Sequence, residues 1–158
     1  MAKTISEIEG LLHKIPEAKR IKLLGEITSV LLCSGLHRNY YINDIGSVFL
    51  PPIHYNQFKI YHRGNTPVGI ITWAFLSDEI EKKYLSQKYF LKLDDWNSGD
   101  NGWIIDFAAP FGDAKEIIKD IRNNVFPDRI GKAIRMTADK KVKSIYTLRG
   151  INVGKKKT

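Results

Sequence analysis

One cysteine in 158 residues, Cys33, leaves no partner for an internal disulfide and too few thiols for a cysteine-based zinc site. Histidine is scarce as well. The four, His13, His37, His54 and His62, form no trio with carboxylates at metal-ligand spacing, so no metal is expected. No apolar run reaches the ~18 residues of a membrane span. The opening Met1-Ala2-Lys3-Thr4-Ile5-Ser6-Glu7 has none of the apolar core of a secretory signal. Together these absences predict a cytoplasmic chain in a reducing compartment. Internal repeats and low-complexity tracts are absent too, which predicts one domain over residues 1–158, with 1–20 as an N-terminal extension and 151–158 as a basic tail.

What is present is an ordinary globular balance with an excess of positive charge. Hydrophobic residues make up 43% and charged residues 27% of the chain, enough to build one core and to cover it. Lys and Arg number 25 against 17 Asp and Glu, giving a net charge of +8 and a pI near 9.5. Such an imbalance attracts acidic partners, whether nucleic acid, anionic lipid or an acidic protein. Much of the excess gathers at Lys140, Lys141, Lys143, Arg149 and Lys155-Lys156-Lys157, with a second group at Lys14, Lys19, Arg20 and Lys22. A solvated face and a frayed tail give the same pattern.

Hydrophobic periodicity places the elements. Residues 4–15 predict a short amphipathic helix with Ile5, Ile8, Leu11, Leu12 and Ile15 on one face. Pro16-Glu17 opens a second helix through Cys33, with Ile21, Leu24, Ile27, Val30 and Leu31 as its core face and Gly35 as a left-handed cap. Cys33, on the last turn of that apolar helix, reads as buried and inert. Ser47-Val48-Phe49-Leu50 before Pro51-Pro52 reads as a short extended piece and a stop. Residues 57–62 and 68–75, joined by Arg63-Gly64-Asn65, form a hairpin, and Ser77 caps a helix running to Ser86. Residues 91–100 read as a loop, and residues 132–136 and 143–148 as two last strands separated by a turn around Ala138-Asp139-Lys140.

Between these lies the stretch on which the chain is centred, GWIIDFAAPFGD from Gly102 to Asp113. An apolar strand carries one carboxylate, Asp106, and a lone buried carboxylate is retained only for a hydrogen-bonding or electrostatic task. Pro110 removes a ladder donor, Phe111-Gly112-Asp113 forms a turn, and a helix follows over residues 114–124. Asp113 and Glu116 have the spacing of a capping box. Strand, glycine turn and helix start together aim backbone N–H groups at a ligand.

Several motifs now stand in order: Leu36-His37-Arg38-Asn39; Trp73-Ala74; Asp95-Trp96-Asn97-Ser98-Gly99-Asp100; Trp103-Ile104-Ile105-Asp106; and Ala109-Pro110-Phe111-Gly112-Asp113. In this order they resemble the toxin-activating lysine acyltransferases, which acylate internal lysines of RTX pore-forming protoxins. The resemblance implies an α/β single-domain GNAT-like acyltransferase fold, with a mixed, splayed central sheet flanked by helices. It implies acyl carrier protein and an RTX protoxin as partners, the phosphopantetheine thioester of the carrier as acyl donor, and no bound cofactor. It also leaves room for a homodimer. His37 and Asp106 match the family's catalytic His and Asp. The chemistry agrees: a lysine ammonium, with a pKa near ~10.4, needs a base, and imidazole near ~6.5 is the side chain suited to that task.

Ser34 and Cys33 both precede His37 and raise the question of a covalent acyl-enzyme. A helix C-terminus raises rather than lowers a thiol pKa, so direct transfer is expected, with Ser34 hydrogen-bonding the His or the substrate. For the donor, Gly112, Asp113 and Ala114 are the candidates to receive the pantetheine phosphate. The Gly-rich pyrophosphate loop of GNAT enzymes that use coenzyme A is lacking, which fits a donor presented on a carrier protein. Arg122, Arg129, Lys132 and Arg135 are candidates to meet an acidic carrier. Trp73, Phe75, Trp103, Ile105 and Phe107 are either core or the lining of an acyl slot. Two other readings stay open: a coenzyme A-dependent GNAT acetyltransferase, and a basic nucleic-acid-binding module, for which no binding motif is present and no nucleic acid is expected.

Overall fold

In the computed structural model, which describes residues 4–137 and 141–155, the chain opens with α1, Ile5–Lys14. Thr4 starts it with a complete capping box, its Oγ1 accepting from the Glu7 N–H at 3.2 Å while the Glu7 carboxylate accepts from the Thr4 N–H at 2.7 Å. The buried side chains Leu11 and Ile15 pack on Leu50, so the N-terminal extension docks onto the body of the protein. Helix α2, Glu17–Leu32, follows with Pro16 at its N-cap. Ile27, Val30 and Leu31 are buried, whereas Ile21, expected on the same face, is 81% exposed because packing begins only with Leu23 and Leu24. Gly35 does not cap the helix: it lacks a positive φ, and the chain turns instead through Ser34 N–H to Leu31 O at 3.0 Å and Arg38 N–H to Ser34 O at 3.0 Å. Cys33 is exposed, not buried, since at the C-cap it has left the core face.

The extended piece expected over Ser47–Leu50 is a helix. Helix α3, Ile42–His54, starts with the Tyr41 N–H on the Asp44 carboxylate at 2.8 Å and carries Pro51 and Pro52 through its last turn. Proline disfavours this position, but Phe49, Leu50 and both prolines are buried there, and their burial outweighs the lost backbone bonds. The hairpin forms as expected from β1, Phe58–Arg63, and β2, Thr66–Leu76, with Gly64 taking φ +59 in the turn. Helix α4, Asp78–Leu85, is capped by the Ser77 hydroxyl, which accepts from the Ile80 N–H at 3.3 Å. The loop after it contains a short 3₁₀ turn, Leu93–Trp96.

Strand β3, Asn101–Ala108, then leads into α5, Ala114–Asp120, which runs on as a π turn over Ile121–Val125. Asp120 ties α5 to β1 by accepting from Lys59 Nζ at 2.7 Å and Tyr61 OH at 2.5 Å. Strands β4, Ile130–Met136, and β5, Val142–Arg149, complete a sheet of order β1-β2-β3-β4-β5. The turn expected around Ala138-Asp139-Lys140, and Lys156 and Lys157 of the basic tail, lie outside the described residues.

All neighbouring strands are antiparallel except β3 and β4. Their parallel pairing covers Gly102–Gly131, Trp103–Lys132 and Ile104–Ala133 and then stops, so the two strands part just before Asp106. This is the mixed, splayed GNAT-like sheet that the resemblance implied. On one face α5 closes a core of Ile71, Trp73, Ile104, Ile117 and Phe126. On the other, α2 and α3 close a core of Ile27, Val30, Phe49, Ile70 and Ala108.

Candidate active site

A bulge in the central strand decides which way Asp106 points. Opposite β2, Thr72 pairs with Asp106 but Trp73 pairs with Ile104, leaving Ile105 as an extra residue. Without it, alternation would put Ile104 and Asp106 on one face. With it, Ile104 joins the α5-side core while Asp106 shares the face of Thr72 and Ala108, the face covered by α2 and α3. The Asp106 N–H, displaced from a regular ladder, donates to the Thr72 hydroxyl at 3.0 Å.

From the opposite side, the end of α2 delivers His37. The turn after Leu32 leads into a 3₁₀ turn, His37–Asn39, that tucks the imidazole under the helix until it is only 4% exposed. His37 Nε2 meets Asp106 Oδ1 at 2.5 Å, and Ser34 Oγ lies 2.6 Å from His37 Nδ1. The carboxylate can only accept, so Nε2 carries the ring proton and Nδ1 is left to accept from the serine hydroxyl. Sequence positions separated by 69 residues thus form a line from serine through imidazole to carboxylate.

Asp106 is 8% exposed, and three donors offset the cost of burying its charge. Besides His37, the Phe107 N–H donates to Oδ1 at 2.8 Å and the Tyr40 hydroxyl donates to Oδ2 at 3.1 Å. Tyr40 also stands edge-on to the imidazole, with ring centroids 5.2 Å apart. Burial, and then the Asp106 charge, push the Tyr40 hydroxyl well above the ordinary tyrosine range, so it remains a neutral donor. Tyr84 responds to the same two causes, and its pKa is pushed up to about 12.

Ser34, His37 and Asp106 are therefore brought together. Gly112, Asp113 and Ala114 stand in the turn from β3 to α5, where Gly112 takes φ +93. The capping box expected from Asp113 and Glu116 does not form. Arg63, at the end of β1, claims both Asp113 carboxylate oxygens at 2.8 and 2.9 Å, and no side chain caps α5. Of the downstream cations, Lys132 pairs with Glu81 at 2.7 Å, Arg122 donates to the Arg149 carbonyl at 2.8 Å, and Arg129 lies over the Phe75 ring. Those bonds fix them within the fold. Trp73 and Trp103 are core, and Ile105 lines a cavity. Among the described residues, no group of three or more His, Cys, Asp or Glu is arranged to hold a metal ion. No helix there is long and apolar enough to cross a membrane.

Tyr40 and Thr72 escaped the reading of the sequence. Tyr40 directly follows Leu36-His37-Arg38-Asn39, and Thr72 is the polar residue inside the apolar run of β2, so each left a faint trace.

Chemically, the line can take a proton at Ser34 Oγ or His37 Nδ1 and hold the resulting imidazolium against a fixed carboxylate. Residues 16–149 match the model of the RTX toxin acyltransferase family. The chain is 38% identical over 135 residues to the RTX-I toxin-activating lysine-acyltransferase ApxIC of Actinobacillus pleuropneumoniae, covering 85% of this chain and 78% of that one. To the protein-lysine myristoyltransferase HlyC of Escherichia coli it is 37% identical over 137 residues, 87% of this chain and 78% of that one. An uncharacterized protein of Synechocystis is 38% identical over 130 residues, 80% and 88% of the two chains.

Proposed function

The chain belongs to the RTX toxin acyltransferase family, and from that premise we propose that it moves a fatty acyl group from the thioester of acyl carrier protein to the ε-amine of an internal lysine in an RTX protoxin. The observation that carries this reading is the buried Ser34–His37–Asp106 line at the point where β3 and β4 part. The enzyme is an acyltransferase.

His37 is the general base. The incoming lysine gives a proton through the Ser34 hydroxyl to Nδ1, and Asp106 stabilises the imidazolium that results. The amine then attacks the thioester carbonyl, an N–C bond forms and the C–S bond breaks. The departing pantetheine sulfur takes up one proton and one leaves to solvent, so the products are an amide and a free thiol. Cys33 takes no part: it sits exposed at the C-cap of α2, and the residue bonded to the histidine is Ser34. Gly112, Asp113 and Ala114 receive the pantetheine phosphate through backbone amides of their turn. Arg63 adds a cation there that partly neutralises Asp113. The reaction runs in the cytoplasm, where acyl carrier protein is met, and the net charge of +8 favours that acidic partner.

The test is intact-mass analysis of a lysine-bearing protoxin fragment incubated with this protein and a long-chain acyl carrier protein thioester, beside acyl-coenzyme A. The expected result is a gain of one acyl group on lysine with the carrier donor. Transfer from coenzyme A alone would replace this reading with the acetyltransferase one, and no transfer from either donor would end it.

A further inference from the structure

Beside the catalytic pair, on the α3 face of the sheet, lies a cavity of about 780 Å³ that the mechanism above does not use. Its size is that of a site for an extended small ligand. Val48 of α3, Leu91, Trp96 and Ile105 give it apolar walls, and Phe90, 73% exposed, stands at its mouth. Its inner end is next to the chemistry. Ile105 is the bulged residue immediately before Asp106, so the kink that aims the carboxylate at His37 also aims the neighbouring side chain into the cavity. Tyr84, another wall residue, feels the Asp106 charge. Two buried atoms of wall residues, Ser47 Oγ and Trp96 Nε1, have no hydrogen-bond partner among the described residues.

The layout follows the axis of β3. Counted back from the glycine turn at Gly112, β3 presents first Asp106, then Ile105 in the cavity wall, and it pairs with β4 only from Ile104 onward, while the cavity extends past Ile105 toward Trp96. A donor held at that turn with its thioester at His37 would reach this space with its acyl chain by way of Ile105, the wall residue next to Asp106. We propose that the cavity holds the fatty chain of the acyl donor and sets the chain length the enzyme accepts, with Val48 and Leu91 as the gauging side chains. This rests on the acyltransfer reading above. The length gauge itself is apolar contact, in which each methylene that no longer fits costs about 10-fold or more in relative rate.

The experiment has two arms on the full-length protein. In the first, an acyl-pantetheine thioester carrying a diazirine at the chain end is bound and irradiated, and the labelled peptides are mapped. Label in the segments 42–54 and 84–96 is expected, whereas label confined elsewhere, or none, overturns the slot. In the second, Val48→Phe and Leu91→Trp are compared with the unmodified protein for transfer of eight- to sixteen-carbon chains. The ratio of long- to short-chain transfer is expected to fall about 10-fold or more, and an unchanged ratio in both folded variants overturns the gauge. The labelling arm needs no turnover. Label in the cavity without lysine acylation would sink the proposed reaction and leave the slot, while acylation with label elsewhere would do the reverse.

Discussion

Two neighbouring places on one face of the sheet treat buried polar atoms in opposite ways. Around Asp106 every polar atom is engaged: Ser34 on His37, His37 on Asp106, Tyr40 and Phe107 on the same carboxylate, and the Asp106 N–H on Thr72. In the wall of the adjoining cavity, Ser47 Oγ and Trp96 Nε1 have no partner among the described residues. The first arrangement fixes one geometry, as proton transfer requires, because leaving any member of a buried network unpaired is costly. The second borders an open space walled by Val48, Leu91 and Ile105, where the proposed slot meets its guest through apolar contact alone. Removing a group should therefore be severe in the first region and mild in the second.

His37→Ala is the strongest way to break this contrast. It removes the proposed base and should lower acyl transfer by about 10²- to 10⁴-fold, measured as single-turnover acylation of a protoxin fragment at matched folded protein. Tyr40→Phe comes next. It takes one donor from a buried carboxylate, which should cost about 1.5–3 kcal/mol in denaturant unfolding, and it should slow transfer by about 10-fold or less, well short of the His37 effect. A loss as large as that of His37→Ala would make Tyr40 part of the proton path.

Tyr84 joins the two regions and gives a pH signature. Its pKa is raised from 10.0 to about 12 in the folded protein, chiefly by burial and then by Asp106. The unfolded chain therefore loses this proton first, so the contribution to stability is complete below about pH 10 and is lost as pH rises toward about 12. Urea unfolding across that range should show a slope that Tyr84→Phe reduces. The smallest effect is expected from Ser47→Ala, which deletes a buried hydroxyl with no partner among the described residues. Stability should stay within about 1 kcal/mol of the parent or rise, and a clear loss would mean that the hydroxyl has a partner after all.

Much of this was legible in the sequence, and what was not has identifiable causes. Periodicity and caps gave α1, α2, the hairpin, α4 and the last strands, since Thr4, Pro16 and Ser77 act locally. It failed at α3, where Pro51 and Pro52 look like a stop and only burial against the rest of the fold keeps them helical. The neighbours of Asp113 mark it as a cap, but Arg63, distant in sequence, competes successfully for its carboxylate. The motifs carried His37 and Asp106; their contact depends on a one-residue bulge at Ile105, which no alternation pattern shows. Tyr40 and Thr72 enter the site only because that bulge turns Asp106 toward them.

Whether Asp106 works by fixing the proton on His37 Nε2 is best tested with Asp106→Asn, which keeps the shape and removes the charge. With an amide N–H facing Nε2, the imidazole should turn to the Nδ1–H form, unable to accept from Ser34. Transfer should then fall by about 10²- to 10⁴-fold, with ¹⁵N resonances of His37 reporting the changed tautomer in a folded protein. Transfer within a few-fold of the parent, with the tautomer changed, would contradict the account.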